Sequence, residues 1–186
     1  GSVIRLMRKA MPEMVLSVSV TTRSPREGER EGTDYFFKTW DDFETLAQAD
    51  GFLEHKCVFG KNRYGTPRAF VEEQRASGKD VLLEIDVKGA LEVKCKVPDA
   101  LLIFLMPPSF AVLETRLRNR GTEDEAAVAE RLKTAREELK SAHLYDYFII
   151  NDTLERADRE IRLAIEAARL QTSRRLELIG AIMEGE

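Results

Sequence analysis

The sequence has little cysteine. Its two residues, Cys57 and Cys95, form neither a C-x-x-C pair nor any metal-type spacing. A disulfide scaffold is therefore unsupported, and reduced thiols in a cytoplasmic protein are expected. No apolar run reaches the roughly 20 residues that span a bilayer, and no signal peptide is expected. Positive charge is not in excess: Lys and Arg number 29 against 33 Asp and Glu, a net charge of −4. That balance excludes broad electrostatic binding to nucleic acid or to an anionic membrane, so a phosphate ligand would need a local cluster of Arg or Lys. The only histidines, His55 and His143, stand far apart without ligand-like neighbours. No Ser-His-Asp arrangement is visible, so neither hydrolase nor zinc chemistry has support. Internal repeats and low-complexity linkers are also missing. What is present, 186 residues with 43% hydrophobic and 33% charged, fits a soluble enzyme or binding module of one α/β domain.

Gly1-Ser2 leads directly into Val3 to Lys9, which reads as the continuation of a helix. Met14 to Val20 alternates and is rich in β-branched residues, predicting a strand. Thr21 to Asp34, with Pro25, Gly28 and Gly32, predicts a loop, followed by a short strand from Tyr35 and a helix from Asp41 with acids in its first turn. Phe52 to Tyr64 predicts a β-hairpin turning around Gly60–Arg63, and Thr66-Pro67 predicts a capped helix start. Asp80 to Asp86, Leu101 to Met106 and Tyr147 to Ile150 are nearly continuous apolar runs, the pattern of strands covered on both faces. Helical segments separate them, including Glu123 to Ala142 (Val128, Leu132, Ala135, Leu139) and a C-terminal helix with Ile161, Ile165 and Ala168 on one stripe. A parallel α/β sheet with crossover helices is the economical architecture.

Candidate chemistry falls into a few clusters. Arg23, Arg26 and Tyr35 surround a Pro-Gly loop leaving the C-terminal end of a strand, where open α/β sheets bind ligands. Guanidinium groups grip phosphate oxygens in a two-pronged way, although Arg23, Arg26 and Arg30 could equally be surface charges balanced by Glu27, Glu29 and Glu31. Glu84 and Asp86, two apart on a strand, project on one face. Buried carboxylates there require a partner, a hydrogen bond or a metal, while Asp86 could also simply cap the next helix. Glu54 could accept the paired N1 and N2 donors of guanine, which adenine cannot offer, or be an ordinary strand-edge acid. Arg116, Arg118 and Arg120, with Arg131 and Arg136 beyond, could close over phosphates or be solvated partners of Glu123, Glu125 and Glu130.

Together, S-x-S-V-T-T-R-S-P-R-x-G-E-x-x-G-x-D-Y-F-F (17–37), F-L-E-H (52–55), Y-G-T (64–66), L-E-I-D-V-x-G-A (83–90), P-P-S (107–109), R-L-x-x-R-G-T-E (116–123) and I-N-D (150–152) resemble guanylate kinases in order and spacing, over almost the whole chain. The resemblance implies a P-loop NTPase-type parallel sheet with helices on both faces. One domain would span 1–186, with a core of about 1–18, 80–108 and 145–186, a mixed GMP-binding insertion of about 19–79 and a helical lid of about 109–144. It implies the reaction ATP + GMP → ADP + GDP, with dGMP also accepted, in purine nucleotide metabolism and GMP recycling, with Mg2+ bridging the phosphates. Ser19, Glu54 and Asp86 would contact guanine; Arg23, Arg26, Tyr35 and Tyr64 would hold the GMP phosphate, with Thr66 beside them. Arg116, Arg120 and Arg131 would be catalytic lid arginines, Ser2 and Asn151 would serve ATP, and Glu84 would lie near the metal, through water. The hairpin turn is one residue longer than the family's common turn. The family's G-x-x-x-x-G-K loop is expected ahead of Gly1-Ser2, so the chain as given is expected to bind GMP better than it transfers phosphate. A non-catalytic guanylate-kinase-like interaction module and a kinase for another nucleotide are the alternatives, and the guanine contacts favour neither.

Overall fold

The computed structural model describes residues 2–58, 60–119 and 125–185. Its elements begin with α1 (Ser2–Ala10), β1 (Val15–Leu16), β2 (Val20–Thr21) and β3 (Phe36–Phe37). Next come α2 (Trp40–Gln48), β4 (Phe52–Val58), β5 (Asn62–Pro67), α3 (Arg68–Ala76), β6 (Val81–Leu82) and α4 (Val87–Lys96). The rest comprises β7 (Ile103–Met106), α5 (Phe110–Arg118), α6 (Glu125–Leu139), β8 (Tyr147–Ile150), α7 (Leu154–Arg169) and α8 (Leu176–Glu184). These elements gather into two compact units, one of Met11–Ala100 and one of Gly1–Ala10 with Leu101–Glu186.

In the unit Met11–Ala100, β1 and β6 form a parallel pair, and a mixed sheet runs in the order β3-β2-β5-β4. The predicted strand from Met14 to Val20 is therefore two short strands in different sheets. Val15 and Leu16 pair with Val81 and Leu82, after which the chain changes partners and Val20 and Thr21 pair with β3 and β5. The expected strand from Asp80 to Asp86 is likewise only Val81–Leu82, with Glu84 exposed and its neighbours half-buried rather than covered on both faces. The hairpin turn is also tighter than expected, since Asn62 and Arg63 already belong to β5.

The β4–β5 hairpin separates two apolar clusters. Phe52, Val20 and Phe43 of α2 form the first, with Phe36, Leu46 and Ala47 packed around them. Leu53 joins Val71 of α3 and Val93 of α4 in the second. Adjacent residues can serve both clusters because a strand sends successive side chains to opposite faces. Gly65 lets the first cluster close, since a Cβ there would lie 2.8 Å from the Phe52 ring and 2.9 Å from His55 Cβ. Helix α2 starts where Thr39 accepts the Asp42 N–H at 3.1 Å, with Asp41 and Asp42 at the positive end of the helix dipole. Its exit is a left-handed residue, Asp50 (φ 52°), whose carboxylate is held by Arg68 at 2.7 Å and Lys96 at 3.1 Å.

In the other unit, β7 and β8 pair in parallel from Ile103–Tyr147 to Met106–Ile150. Two helices, α5 and α6, fill the connection between them and pack on each other, the crossover that parallel strands require. Helix α7, capped by Thr153, buries Ala157, Ile161, Ala164 and Ala168 and packs on α1, whose Val3 and Met7 are buried. The small residues on that stripe let the two helices approach closely.

Phe43 is fully buried and stacks on Phe52 with ring centroids 4.4 Å apart. Phe43→Ala is expected to destabilise the fold by about 3–5 kcal/mol, the cost of an unfilled aromatic site. Urea unfolding checks this, and a loss below about 1 kcal/mol would show that the cluster collapses without cost.

Candidate active site

Strand alternation places Glu54, Lys56, Tyr64 and Thr66 on one face of the hairpin, paired across it as Glu54–Thr66 and Lys56–Tyr64. The register shifts between Phe52 and Glu54, leaving Leu53 as the extra residue of a bulge. Glu54 is only 5% exposed. Its Oε1 accepts the Thr66 hydroxyl at 2.6 Å, so Thr66 serves the carboxylate and not the start of α3, which begins after Pro67 without any side-chain cap. On its other side Glu54 rests against the first turn of α4. A Cβ at position 89 would stand 3.0 Å from Glu54 Oε2, and the glycine there leaves room for the carboxylate. Asp86 caps that same turn, with Oδ1 accepting the Gly89 N–H at 2.9 Å, while Oδ2 accepts from Lys56 Nζ at 2.5 Å.

The two acids are held differently. Burial pushes the Glu54 carboxyl above its ordinary range; the Thr66 hydroxyl and Lys56 oppose this, and Asp86 and Glu92 add to it. For Asp86 burial also pushes upward, but the Lys56 ammonium and the Gly89 N–H outweigh it and hold the group below the usual range. A raised carboxyl pKa means that the folded protein binds the Glu54 proton more tightly than the unfolded chain does. Glu54 therefore favours the fold most below its ordinary pKa, and that contribution is lost as pH rises to its folded value.

The loop after β2 carries a second cluster. Gly28 (φ 85°) and Gly32 (φ 71°) turn it through left-handed positions that side chains rarely adopt. Glu29 then reaches back twice: Oε1 accepts Arg23 Nη2 at 2.8 Å and Oε2 accepts the Arg26 N–H at 2.7 Å. Arg23 also donates to the Ser24 carbonyl at 2.8 Å and lies 5.4 Å from the Tyr35 ring centroid. Tyr35 and Tyr64 meet edge to face with centroids 6.0 Å apart. The hydrogen bond to Glu29 outweighs burial and lifts the Arg23 pKa above its ordinary value, so its charge is permanent. The Arg26 side chain is exposed, and Ser19, half-buried, accepts the Phe36 N–H on its carbonyl at 2.9 Å. The sequence offers Glu29 only as a possible counter-charge to the arginines, with no part in shaping the loop. The available signal was its place three residues after Arg26, from which a carboxylate can reach a preceding backbone N–H.

In the other unit, Arg116 at the end of α5 donates to the carbonyls of Asn151 (2.8 Å) and Asp152 (3.1 Å), just after β8. Asn151 Oδ1 is buried with no hydrogen-bond partner among the described residues. Arg131 is exposed on α6, Ser2 opens α1, and Arg120 lies outside the described residues. Arg118 pairs with Glu114 and Glu125, and Arg136 lies 4.2 Å from the Phe110 ring centroid, so these two have structural partners.

A family model described as guanylate kinase matches residues 4–168. A guanylate kinase of Synechococcus sp. (strain JA-3-3Ab) is 47% identical over 87% of this chain and 74% of its own length. One of Caldanaerobacter subterraneus subsp. tengcongensis is 41% identical over 99% of this chain and 89% of its own. The crystal structure of guanylate kinase from Anaplasma phagocytophilum superposes with a TM-score of 0.72 at 35% identity, covering 93% of this chain and 84% of that one. Parallel strand pairs with crossover helices, matched to that structure, define an α/β protein of the P-loop NTPase type. Within that class, the chain belongs to the guanylate kinase family.

Thr66→Val keeps the shape of the side chain but leaves Glu54 without its donor. The variant is expected to lose about 1–3 kcal/mol at neutral pH, and less as acidification protonates Glu54. Denaturant titrations across pH check this, and a pH-independent loss would mean that Thr66 acts by packing alone.

Proposed function

We propose that this chain phosphorylates GMP, and dGMP, at the expense of ATP. The observation that carries the reading is the buried Glu54 carboxylate beside Asp86, on the hairpin face that also carries Tyr64, whose ring meets Tyr35 of the arginine loop. Guanine presents N1–H and N2–H donors side by side, and ionised carboxylates are pure acceptors. Glu54 and Asp86, with Ser19, would take the base edge. Arg23, Arg26, Tyr35 and Tyr64 would take the phosphate, Glu29 keeping the first two in register. Thr66 supports this reading from beneath, as the donor that holds Glu54 in place.

In the reaction a GMP phosphate oxygen forms a bond to the γ-phosphorus of ATP, and the bond to the β,γ-bridging oxygen breaks, its electron pair leaving with ADP. The protein's task is positioning and charge stabilisation. Arg116, Arg120 and Arg131 would face the migrating phosphoryl group, and Ser2 and Asn151 would serve ATP, the unused Asn151 Oδ1 being a suitable acceptor for an amine donor. Magnesium held mainly by phosphates and water needs one or two carboxylates; Glu84, exposed two residues before Asp86, fits that demand through water. The ion would neutralise charge on the phosphates. On this reading residues 19–79 form the GMP-binding insertion and 109–144 the lid, in a protein working in the cytoplasm.

Glu54→Gln and Arg26→Ala should each weaken GMP binding about 10- to 100-fold, the range expected when a charge-assisted hydrogen bond is lost. Calorimetry gives the affinities, and ATP-dependent GDP formation tests transfer. GMP affinity unchanged in both variants would overturn the reading, whereas GMP binding without transfer would leave a nucleotide-binding module.

A further inference from the structure

Beside the two acids stands a lysine in contact with Asp86 that the motifs do not account for. Lys56 lies two residues beyond Glu54 on the same face of β4, and its Nζ is 2.5 Å from Asp86 Oδ2. With Oδ1 already taken by the Gly89 N–H, Lys56 and the helix turn fix both oxygens of Asp86, and with them the plane of the carboxylate. We infer that Lys56 is a positioning residue for base recognition, holding Asp86 in its orientation beside Glu54 and keeping Glu54 in its charged, accepting form. The inference rests on the guanine-binding reading above.

The electrostatic case is direct. Two carboxylates sharing a partly buried pocket oppose each other's ionisation. A protonated Glu54 carboxyl would point a donor at the donors of guanine, so recognition needs Glu54 ionised. The charged groups facing them are few: Lys56 from β4, and Asp86 with Lys88 and Glu92 from the start of α4 and its body. The opposing strand β5 contributes Thr66, which does not titrate, opposite Glu54. Lys88 acts on Asp86 through space, Glu92 adds negative charge, and Lys56 acts on both acids while touching one. The side chains of Lys56 and Asp86 are 46% and 34% exposed. Water therefore screens the attraction, and its worth lies in aim and charge state more than in fold stability.

The test is GMP affinity by calorimetry as a function of pH in the full chain, with Lys56→Met, Lys56→Arg and Glu54→Gln compared, and circular dichroism checking that each is folded. In the unaltered protein affinity should fall on the acid side as Glu54 takes up its proton. Lys56→Met, which keeps the length of the stem and loses the charge, should move that acid limb to higher pH and weaken GMP about tenfold at neutral pH, roughly one charge-assisted contact. Lys56→Arg should restore both. Inosine monophosphate, which lacks the 2-amino donors, should lose less than GMP in Lys56→Met, so that the preference for GMP narrows. An acid limb unmoved in Lys56→Met but abolished in Glu54→Gln would overturn the inference and leave the guanine reading standing. A limb and an affinity untouched by Glu54→Gln would overturn the reading itself, and the inference with it.

Discussion

Burying one carboxylate is the constraint on which the unit Met11–Ala100 turns. An ionised group taken out of water must find hydrogen bonds and countercharge or give up its charge. Around Glu54 several neighbours answer that demand, while Asp86 and Glu92 act against it. The bulge at Leu53 brings Glu54 opposite Thr66, Thr66 supplies a donor, and the bare Cα of Gly89 allows the first turn of α4 to come near enough to enclose the group. The solution is incomplete, since the carboxyl remains shifted upward by burial. An acceptor left short of donors is a poor arrangement for stability and a good one for a ligand that brings two.

The arginine loop solves the opposite problem, since it must hold positive charge with very little regular structure. Glu29 does so with a single side chain, joining the guanidinium of Arg23 to the backbone of Arg26. The loop is then anchored to the sheet through aromatic rings, Arg23 against Tyr35 and Tyr35 against Tyr64. On the opposite face of the hairpin Arg63 has a structural task, with its guanidinium 4.6 Å from the Trp40 ring centroid and paired with Glu44. Arginines one strand position away from a phosphate-type cluster can thus be committed wholly to packing.

Much of this was legible in the sequence because it depends on local pattern. The helix expected from Asp41 and observed from Trp40, the hairpin, the parallel strands after Leu101 and the stripe on α7 follow from periodicity and first-turn acids. The strand lengths did not follow, because pairing partners decide where a ladder ends: Ser17 to Ser19 lie between β6 on one side and β3 and β5 on the other, and apolar composition does not record that change. Within the candidate site, Asp86 was readable as a cap or as a ligand group; its Oδ1 caps α4 through Gly89, and its Oδ2 accepts from Lys56. Thr66 misled because Thr before Pro has the form of a helix start, whereas its hydroxyl is claimed by a residue 12 positions earlier. Lys56 carried no motif, and only the register with Tyr64 and the nearness of α4 give it meaning.

Charge accounting also separates arginines that composition and spacing alone leave equivalent. Arg116 and Arg118 stand on the same last turn of α5. Arg118 is paired with the carboxylates of Glu114 and Glu125, which cancel its charge locally. Arg116 is held instead by two backbone carbonyls, and the nearby carboxylate of Asp152 is occupied by Arg156 at 2.9 Å. Carbonyl dipoles orient a guanidinium without neutralising it, and at least one N–H on each terminal nitrogen stays available. Arg116 is therefore fixed in direction by neutral partners and Arg118 by carboxylates; the role proposed for Arg116, stabilising developing negative charge, calls for the first arrangement.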